Sequence, residues 1–327
     1  MGRISEYLRV TRELSSYFVH FRLRQIPSTS GILESITLFL LKMLRNLAMK
    51  TFVINLERAE RRRKYIVKHL TSLGIDFKII NAIDGNNLTE NDIHKYADIE
   101  RVKQSPYWLT KGAIACALSH RLAYQELISE NEDYALIIED DVQLPKNINT
   151  ILEEIGNAMT TRDVTLLYYT SFTPTFFSTI GQKKLSIGGL YYPMEIHKPT
   201  TAAAYIIGKD AASKLISKIL PIRVAADCWG HFYEWECFES FMVHYPSAVK
   251  TMNFKSSIDY HDKRPFLAKF LSAIDKYKIP IAYQLIKYRR KRNLNKMLNH
   301  FSLTDEVSPI YIDVQKVHKH KSLSHQE

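Results

Sequence analysis

Tyr134-Ala-Leu-Ile-Ile138, followed at once by Glu139, Asp140 and Asp141, is the stretch that decides the fold class. An apolar run of this length with no polar alternation reads as a strand buried on both faces, as in a parallel sheet. Such a strand needs helices on both sides, and the flanking sequence supplies them. Upstream, Thr51-Phe-Val-Ile-Asn55 predicts a first buried strand. Leu56 to Leu73 follows as a helix, with Tyr65, Ile66, Leu70 and Leu73 on one face and Gly74 as its stop. Phe77 to Ile80 predicts a second strand, closed by the turn Asp84-Gly85-Asn86, and Thr110 to Ser129 a further helix. Downstream, strand signals at Val164 to Tyr169 and Ala203 to Ile207 alternate with helix signals at Ile148 to Met159 and Lys209 to Ile219. Alternation of this kind gives an α/β fold with a Rossmann-type nucleotide-binding sheet flanked by helices.

The acidic triplet carries the chemistry. Side chains alternate along a strand, so Glu139 and Asp141 are expected on one side and Asp140 on the other. Open α/β sheets bind ligands at the carboxyl ends of their strands, where Glu139 and Asp141 suit a hard divalent cation, manganese or magnesium, bridging two phosphates. Asp140 is then left for the ribose or a second ligand. The plainer account is that the acids solvate a strand end or cap the helix near Asn147. It is the weaker one, because three like charges directly after five apolar residues are costly to bury. Arg58 and Arg62 stand one helical turn apart beyond the first strand and are candidates for the diphosphate. An exposed basic helix, Arg61-Arg-Arg-Lys64, is the alternative there. Asn55 and Asp84 are candidates for the nucleoside.

The chain has 327 residues, 46% of them hydrophobic and 11% aromatic, which excludes wholesale disorder and collagen-like or low-complexity classes. Forty-five Lys and Arg against 34 Asp and Glu leave a net charge of +11, which favours partners carrying phosphate. Cys116, Cys228 and Cys237 form no CxxC pair, so neither a disulfide framework nor a thiolate zinc site is indicated. Residues 1–48 lack the apolar core and cleavage site of a secretory signal. Residues 32–48 read as an amphipathic helix, either docked on the domain or lying on a membrane, and too charged to span one. Met49 directly precedes the first strand, so this leader is expected to be dispensable. Residues 283–298 combine Leu285, Ile286, Leu294, Met297 and Leu298 with a dense basic block, reading as a helix drawn to anionic lipid or a solvated basic helix. Residues 317–327 are polar and His-rich and are expected to be a disordered tail. The expected division is a leader at 1–48, a catalytic domain at 49–260, and a basic helical C-terminal extension with its tail at 261–327.

Three segments occur in order: Val53-Ile-Asn-Leu-Glu-Arg58, Leu109-Thr-Lys-Gly-Ala-Ile-Ala-Cys-Ala-Leu-Ser-His120, and Leu136-Ile-Ile-Glu-Asp-Asp141. They resemble glycosyltransferase family 25, whose pattern runs INLxxR, LTxGEIGCxxSH and LIxEDD. Thr200 to Gly208 resembles the family's GTxAYLIS strand, Pro221 to Asp227 its PxD element, and Phe254 to Ile258 its closing FxSSI segment. The resemblance covers about Lys50 to Ile258. It departs from the pattern at Ala113, where the family carries Glu, and at Ala115, where it carries Gly; that Glu either binds donor or acceptor or caps a helix.

The family includes bacterial lipooligosaccharide galactosyltransferases and collagen galactosyltransferases. Membership implies a GT-A-like fold, a UDP-sugar donor, a metal ion and inversion at the anomeric carbon. The motif puts Ser119 and His120 among the donor-binding residues; a core histidine is the alternative for His120. Inversion needs a base for the acceptor hydroxyl. Asp227, at the PxD position, is the nominee, with Glu234 and Glu236 as competitors and pairing with Arg223 as the structural alternative. A lipid-linked oligosaccharide is the expected acceptor, reached from the cytoplasmic face of a bacterial inner membrane. Collagen is less expected because no secretory signal or retention tail is seen. Nucleic acid is not expected as a partner, since no helix-turn-helix, zinc finger or RRM signature is present and the triplet repels phosphate. An inactive scaffold that lost activity through Ala113 and a metal-dependent nuclease or phosphatase are the remaining alternatives.

Overall fold

The computed structural model describes residues 49–252 and 270–323, apart from 272 and 275. The expected leader and the FxSSI segment lie outside the described residues.

Among the described residues, a nine-stranded mixed sheet runs in the order β11-β6-β7-β9-β5-β8-β3-β1-β2. Its parallel portion at one edge is β1 (Lys50–Asn55), β2 (Phe77–Asn81) and β3 (Tyr134–Glu139), with β1 central and parallel to both neighbours. The apolar runs of these strands are explained by their two faces. Phe52, Ile54, Ala135 and Ile137 enter one core, whereas Val53, Leu136 and Ile138 enter the other. Helix α1 (Glu60–Ser72) covers the second face through Ile66 and Leu70.

On the first face, η-turn residues Gly85–Asn87 and the short helices α2 (Glu90–Tyr96) and α3 (Ile99–Gln104) lead into α4 (Lys111–Ser129). Thr110 caps α4, its hydroxyl accepting from the Ala113 N–H at 3.2 Å. Ala113 is thus the third helical residue, the place from which a glutamate reaches back to complete a capping box.

Beyond β3 the sheet becomes mixed. After the two-residue strand β4 (Val142–Gln143), α5 (Ile148–Ala158) and β5 (Asp163–Leu166), the chain forms a hairpin of β6 (Thr175–Lys184) and β7 (Gly189–Pro193). It returns through β8 (Ala204–Gly208), which runs antiparallel to both β3 and β5. The sheet thus keeps its Rossmann-type layout at β1, β2 and β3 and carries one reversed strand, β8, between β3 and β5. Helix α6 (Lys209–Lys218), α7 (Trp229–Glu234), β9 (Ser240–Tyr245) and β10 (Lys250–Thr251) follow.

The C-terminal residues do not stand apart from the catalytic domain as expected. Helix α8 (Ala282–Leu298) leads to β11 (Phe301–Thr304), which pairs in parallel with β6 and completes the sheet edge. Helix α9 (Pro309–Leu323) buries Ile310 and Val314 in the second core, and Ser308 donates to the Pro193 carbonyl at 2.8 Å. Val317 to Leu323, expected as disordered tail, therefore continues a helix anchored at its amino end by apolar burial.

Candidate active site

The carboxyl ends of β1, β2 and β3 open on a cavity of about 660 Å³ that Glu139, Asp140, Asp141, Arg58, Arg62 and Asp84 all line. Strand alternation does not carry through the triplet. Glu139 is the last residue of β3, and Asp140 and Asp141 form the turn into β4. Glu139 faces α4, its carboxylate 3.8 Å from His120 Nε2. Asp140 and Asp141 instead turn together towards α1, where Arg62 Nη1 lies 3.2 Å from Asp140 and 3.9 Å from Asp141. The expected placement of Asp140 opposite Asp141 is thus corrected, because a turn rather than a pleat sets these two directions.

Burial pushes the Asp141 carboxyl up to about 7, with the charges of Glu139 and Asp140 adding to it and Arg62 opposing. One of its oxygens, Oδ1, is buried without a hydrogen-bond partner. Burial also raises Asp140, which Arg62 and the Asn55 amide pull back. Three clustered carboxylates and an unsatisfied buried oxygen are an oxygen donor set short of positive charge, which fits a hard divalent ion. Among the described residues, Cys116, His120 and Glu139 also hold their ligand atoms within 4.8 Å of one another. Burial keeps the Cys116 thiol well above its usual range, and a sulfur–imidazole pair does not suit manganese or magnesium.

Several expected donor contacts play other parts. Asn55 is 1% exposed and donates to Asp140 at 2.6 Å, so it orients the triplet from behind the cavity wall. His120 is fully buried, with Nδ1 2.8 Å from the Tyr205 hydroxyl, and stands behind Glu139. Ser119 lines the cavity, but its hydroxyl donates to Ala115 O and accepts from the Ile83 N–H, tying α4 to the end of β2. Arg58 forks onto Asp84 through Nε and, at 3.3 Å, Nη2, which holds the Asp84 carboxyl below its ordinary range. Asp84 also accepts from the Asn86 N–H at 3.0 Å, shaping the turn that forms one cavity wall.

That turn touches the amino end of α4, where Thr110, Lys111 and Gly112 line the cavity. A Cβ on Gly85 would lie 2.8 Å from Gly112 Cα. Gly85→Ala is therefore expected to push the turn off the helix end and cost about 1–3 kcal/mol of stability. Thermal melts and donor-binding titrations check this, and an unchanged melting temperature would refute the close approach. Ala113 does not line the cavity, so the departure from the family glutamate falls at a capping position, whereas Ala115 does line it.

Asp227 lies in the turn before α7. Burial pushes its carboxyl up, Glu139 adds to this, and backbone N–H donations from Asp227 itself and Thr201 pull it down. Glu139 and His120 both act on Asp227, which brings it to the triplet's side of the sheet. The competitors are elsewhere: Glu234 is exposed and paired with His197 and His231, and Glu236 is exposed. Arg223 lies over the Trp235 ring at 4.5 Å.

Thr201, part of the segment that resembles GTxAYLIS, is not among the expected site residues. It lines the cavity with φ at 89°, a conformation costing a β-branched residue on the order of 1–3 kcal/mol, and its carbonyl accepts from the Trp229 indole at 2.9 Å. Thr251 and Met252 close over the triplet, with Met252 N–H donating to Asp141 O at 2.6 Å, and Leu294 of α8 reaches the same cavity. Nothing in local sequence periodicity marks these positions.

Residues 48–229 match the model of glycosyltransferase family 25 (LPS biosynthesis protein). The chain is similar to a Haemophilus influenzae protein provisionally named a glycosyltransferase, at 27% identity over 63% of this chain and 76% of that one. It is similar to the lipooligosaccharide biosynthesis protein lic2B of Haemophilus influenzae, at 29% identity over 51% of this chain and 62% of that one. Human procollagen galactosyltransferase 2 is 29% identical over 52% of this chain, a match that spans 28% of the human protein. With the matched segment running from the start of β1 to the first residue of α7 and enclosing the acidic triplet, the chain belongs to glycosyltransferase family 25.

Proposed function

We propose that this chain transfers a hexose, galactose, from a UDP-sugar to a lipooligosaccharide acceptor with inversion and with help from a divalent ion. The observation that carries the reading is the acidic triplet at the carboxyl end of β3, in a cavity it shares with Arg58 and Arg62. Glu139 and Asp141 are the residues that would hold manganese or magnesium, which when bound supplies positive charge to the departing diphosphate. Arg62 holds Asp140 and Asp141 in position and adds its own charge to that wall. The amino end of α4 presents backbone N–H groups to the cavity, suited to a phosphate. Asp227 takes the proton of the acceptor hydroxyl. The lipooligosaccharide acceptor is supported by the likeness to lic2B; the collagen-type alternative has the likeness to procollagen galactosyltransferase 2 behind it.

UDP release from a panel of UDP-sugars, with and without manganese and with truncated lipooligosaccharide or collagen peptide as acceptor, tests this. Metal-dependent release with one donor and the oligosaccharide supports the reading. Donor binding without turnover under every condition overturns it in favour of an inactive scaffold.

An anionic membrane surface is the proposed site of action. Among the described residues, no helix is long and apolar enough to cross a membrane. Leu285 and Tyr288, exposed at 63% and 67%, share one side of α8, with Lys287, Arg289, Lys291 and Arg292 around them and exposed Ile281 just before the helix. The same helix delivers Leu294 to the cavity, which would bring a lipid-linked acceptor to the reacting centre. Leu285→Glu with Tyr288→Glu is expected to abolish co-sedimentation with phosphatidylglycerol vesicles and leave transfer to a soluble acceptor unchanged. Undiminished vesicle binding would remove α8 from the membrane-facing surface.

A further inference from the structure

On the far side of the Asp227 turn, we infer a second metal site of different chemistry, formed by His197, His231 and Glu234. His197 Nε2 lies 2.8 Å from Glu234 Oε1, and His231 Nδ1 lies 3.1 Å from Glu234 Oε2. The three ligand atoms all fall within 4.8 Å of one another. A tetrahedral zinc ion with bonds near 2.0–2.1 Å sets its ligand atoms about 3.4 Å apart, so small side-chain rotations admit the ion. Two imidazoles and one carboxylate suit zinc or a similar borderline divalent cation and leave a fourth position for water.

The arrangement is built into the fold. His231 and Glu234 are three residues apart on α7, which brings both to one face of the helix. His197 comes from the loop between β7 and β8, and its ring lies directly on Gly230. A Cβ at Gly230 would overlap that ring, so the absence of a side chain there lets His197 lie across α7. The two imidazole rings meet edge to face at 5.0 Å, and the Trp235 ring stacks beside His231. The ligand atoms remain reachable from solvent, the side chains being about half exposed.

Zinc here ties the β7–β8 loop to α7. Those two segments carry the atoms that set Asp227: Thr201 lies four residues beyond His197, and Asp227 four residues before His231. The ion therefore acts as a brace on the segments that carry Thr201 and Asp227 and does not depend on which sugar is transferred.

Zinc and cobalt titrations of the full chain, followed by calorimetry and by the visible absorption of bound cobalt, test the site against His197→Gln, His231→Gln and Gly230→Ala. The wild type is expected to bind one more zinc per chain than either histidine variant and to show a tetrahedral cobalt spectrum that both lack. Gly230→Ala keeps all three ligands but displaces His197, and is expected to weaken this zinc by about 10–100-fold, as loss of ligand orientation does. Zinc is also expected to raise the melting temperature of the wild type and not of His231→Gln. Because the comparison is by difference, zinc held by the triplet or by His318 and His320 cancels. Equal stoichiometry and affinity across wild type and both histidine variants would overturn the site.

Discussion

Replacing Asp141 by asparagine is expected to lower transfer by about a thousandfold, the scale on which loss of one charge-stabilising group acts, while making the metal-free protein more stable at pH 8. The two effects share one cause. Asp141 is a carboxylate held where its charge is unwelcome, with its pKa raised to about 7 by burial and by Glu139 and Asp140. In the unfolded chain the same group titrates near about 3.9. Between those values the folded protein keeps a proton that the unfolded chain has lost, so stability falls as pH rises through the interval. Below it both states are protonated and the penalty vanishes; above it the penalty is complete. Asparagine removes the charge and keeps the shape, and Arg62 keeps Asp140 as its partner at 3.2 Å. Melts in chelator should therefore show the variant above wild type at pH 8 and level with it at pH 4. Unchanged turnover would remove Asp141 from the metal site, and equal melting at pH 8 would show that the native carboxylate is adequately solvated.

What could be read from sequence follows physical range. Buried strands β1 and β3 declare themselves because both faces are covered, and α4 because Thr110 caps it and Ser129 ends it, all local facts. The β6–β7 hairpin escaped because β6 is half exposed and carries a register shift between Ser178 and Lys183. The edge strand β11 escaped because its partner is β6, more than a hundred residues earlier in the chain. The triplet was legible as chemistry but not as geometry, since period-two alternation holds only while the chain is a strand and the strand stops at Glu139. Asn55 and His120 were marked by their motif positions, yet burial makes them supports for Asp140 and Glu139. Which of two roles a polar residue takes depends on what packs in front of it, and that is set by contacts distant in sequence. Likewise the sequence leaves the residue missing at Ala113 as either a site carboxylate or a helix cap, and the structure makes Ala113 the third residue of a capped helix.

Asp227→Asn is expected to lower kcat by about 10²–10⁴-fold, the contribution of a positioned general base, with donor affinity little changed. The asparagine oxygen still accepts the N–H of Thr201, so the turn before α7 should persist. The pH profile separates this role from a structural one. A base must be ionised to work, and burial together with Glu139 raises the Asp227 pKa. The wild-type rate should therefore fall on acidification at a pH above the ordinary carboxylate range, and the residual rate of the variant should lose that limb. Glu236→Gln serves as the control, since its side chain is exposed, and it should retain the wild-type limb. A variant at 227 with full turnover and an unaltered profile would mean that the acceptor proton leaves by another route. The strained Thr201 backbone would then be holding a carboxylate whose work is to shape the pocket.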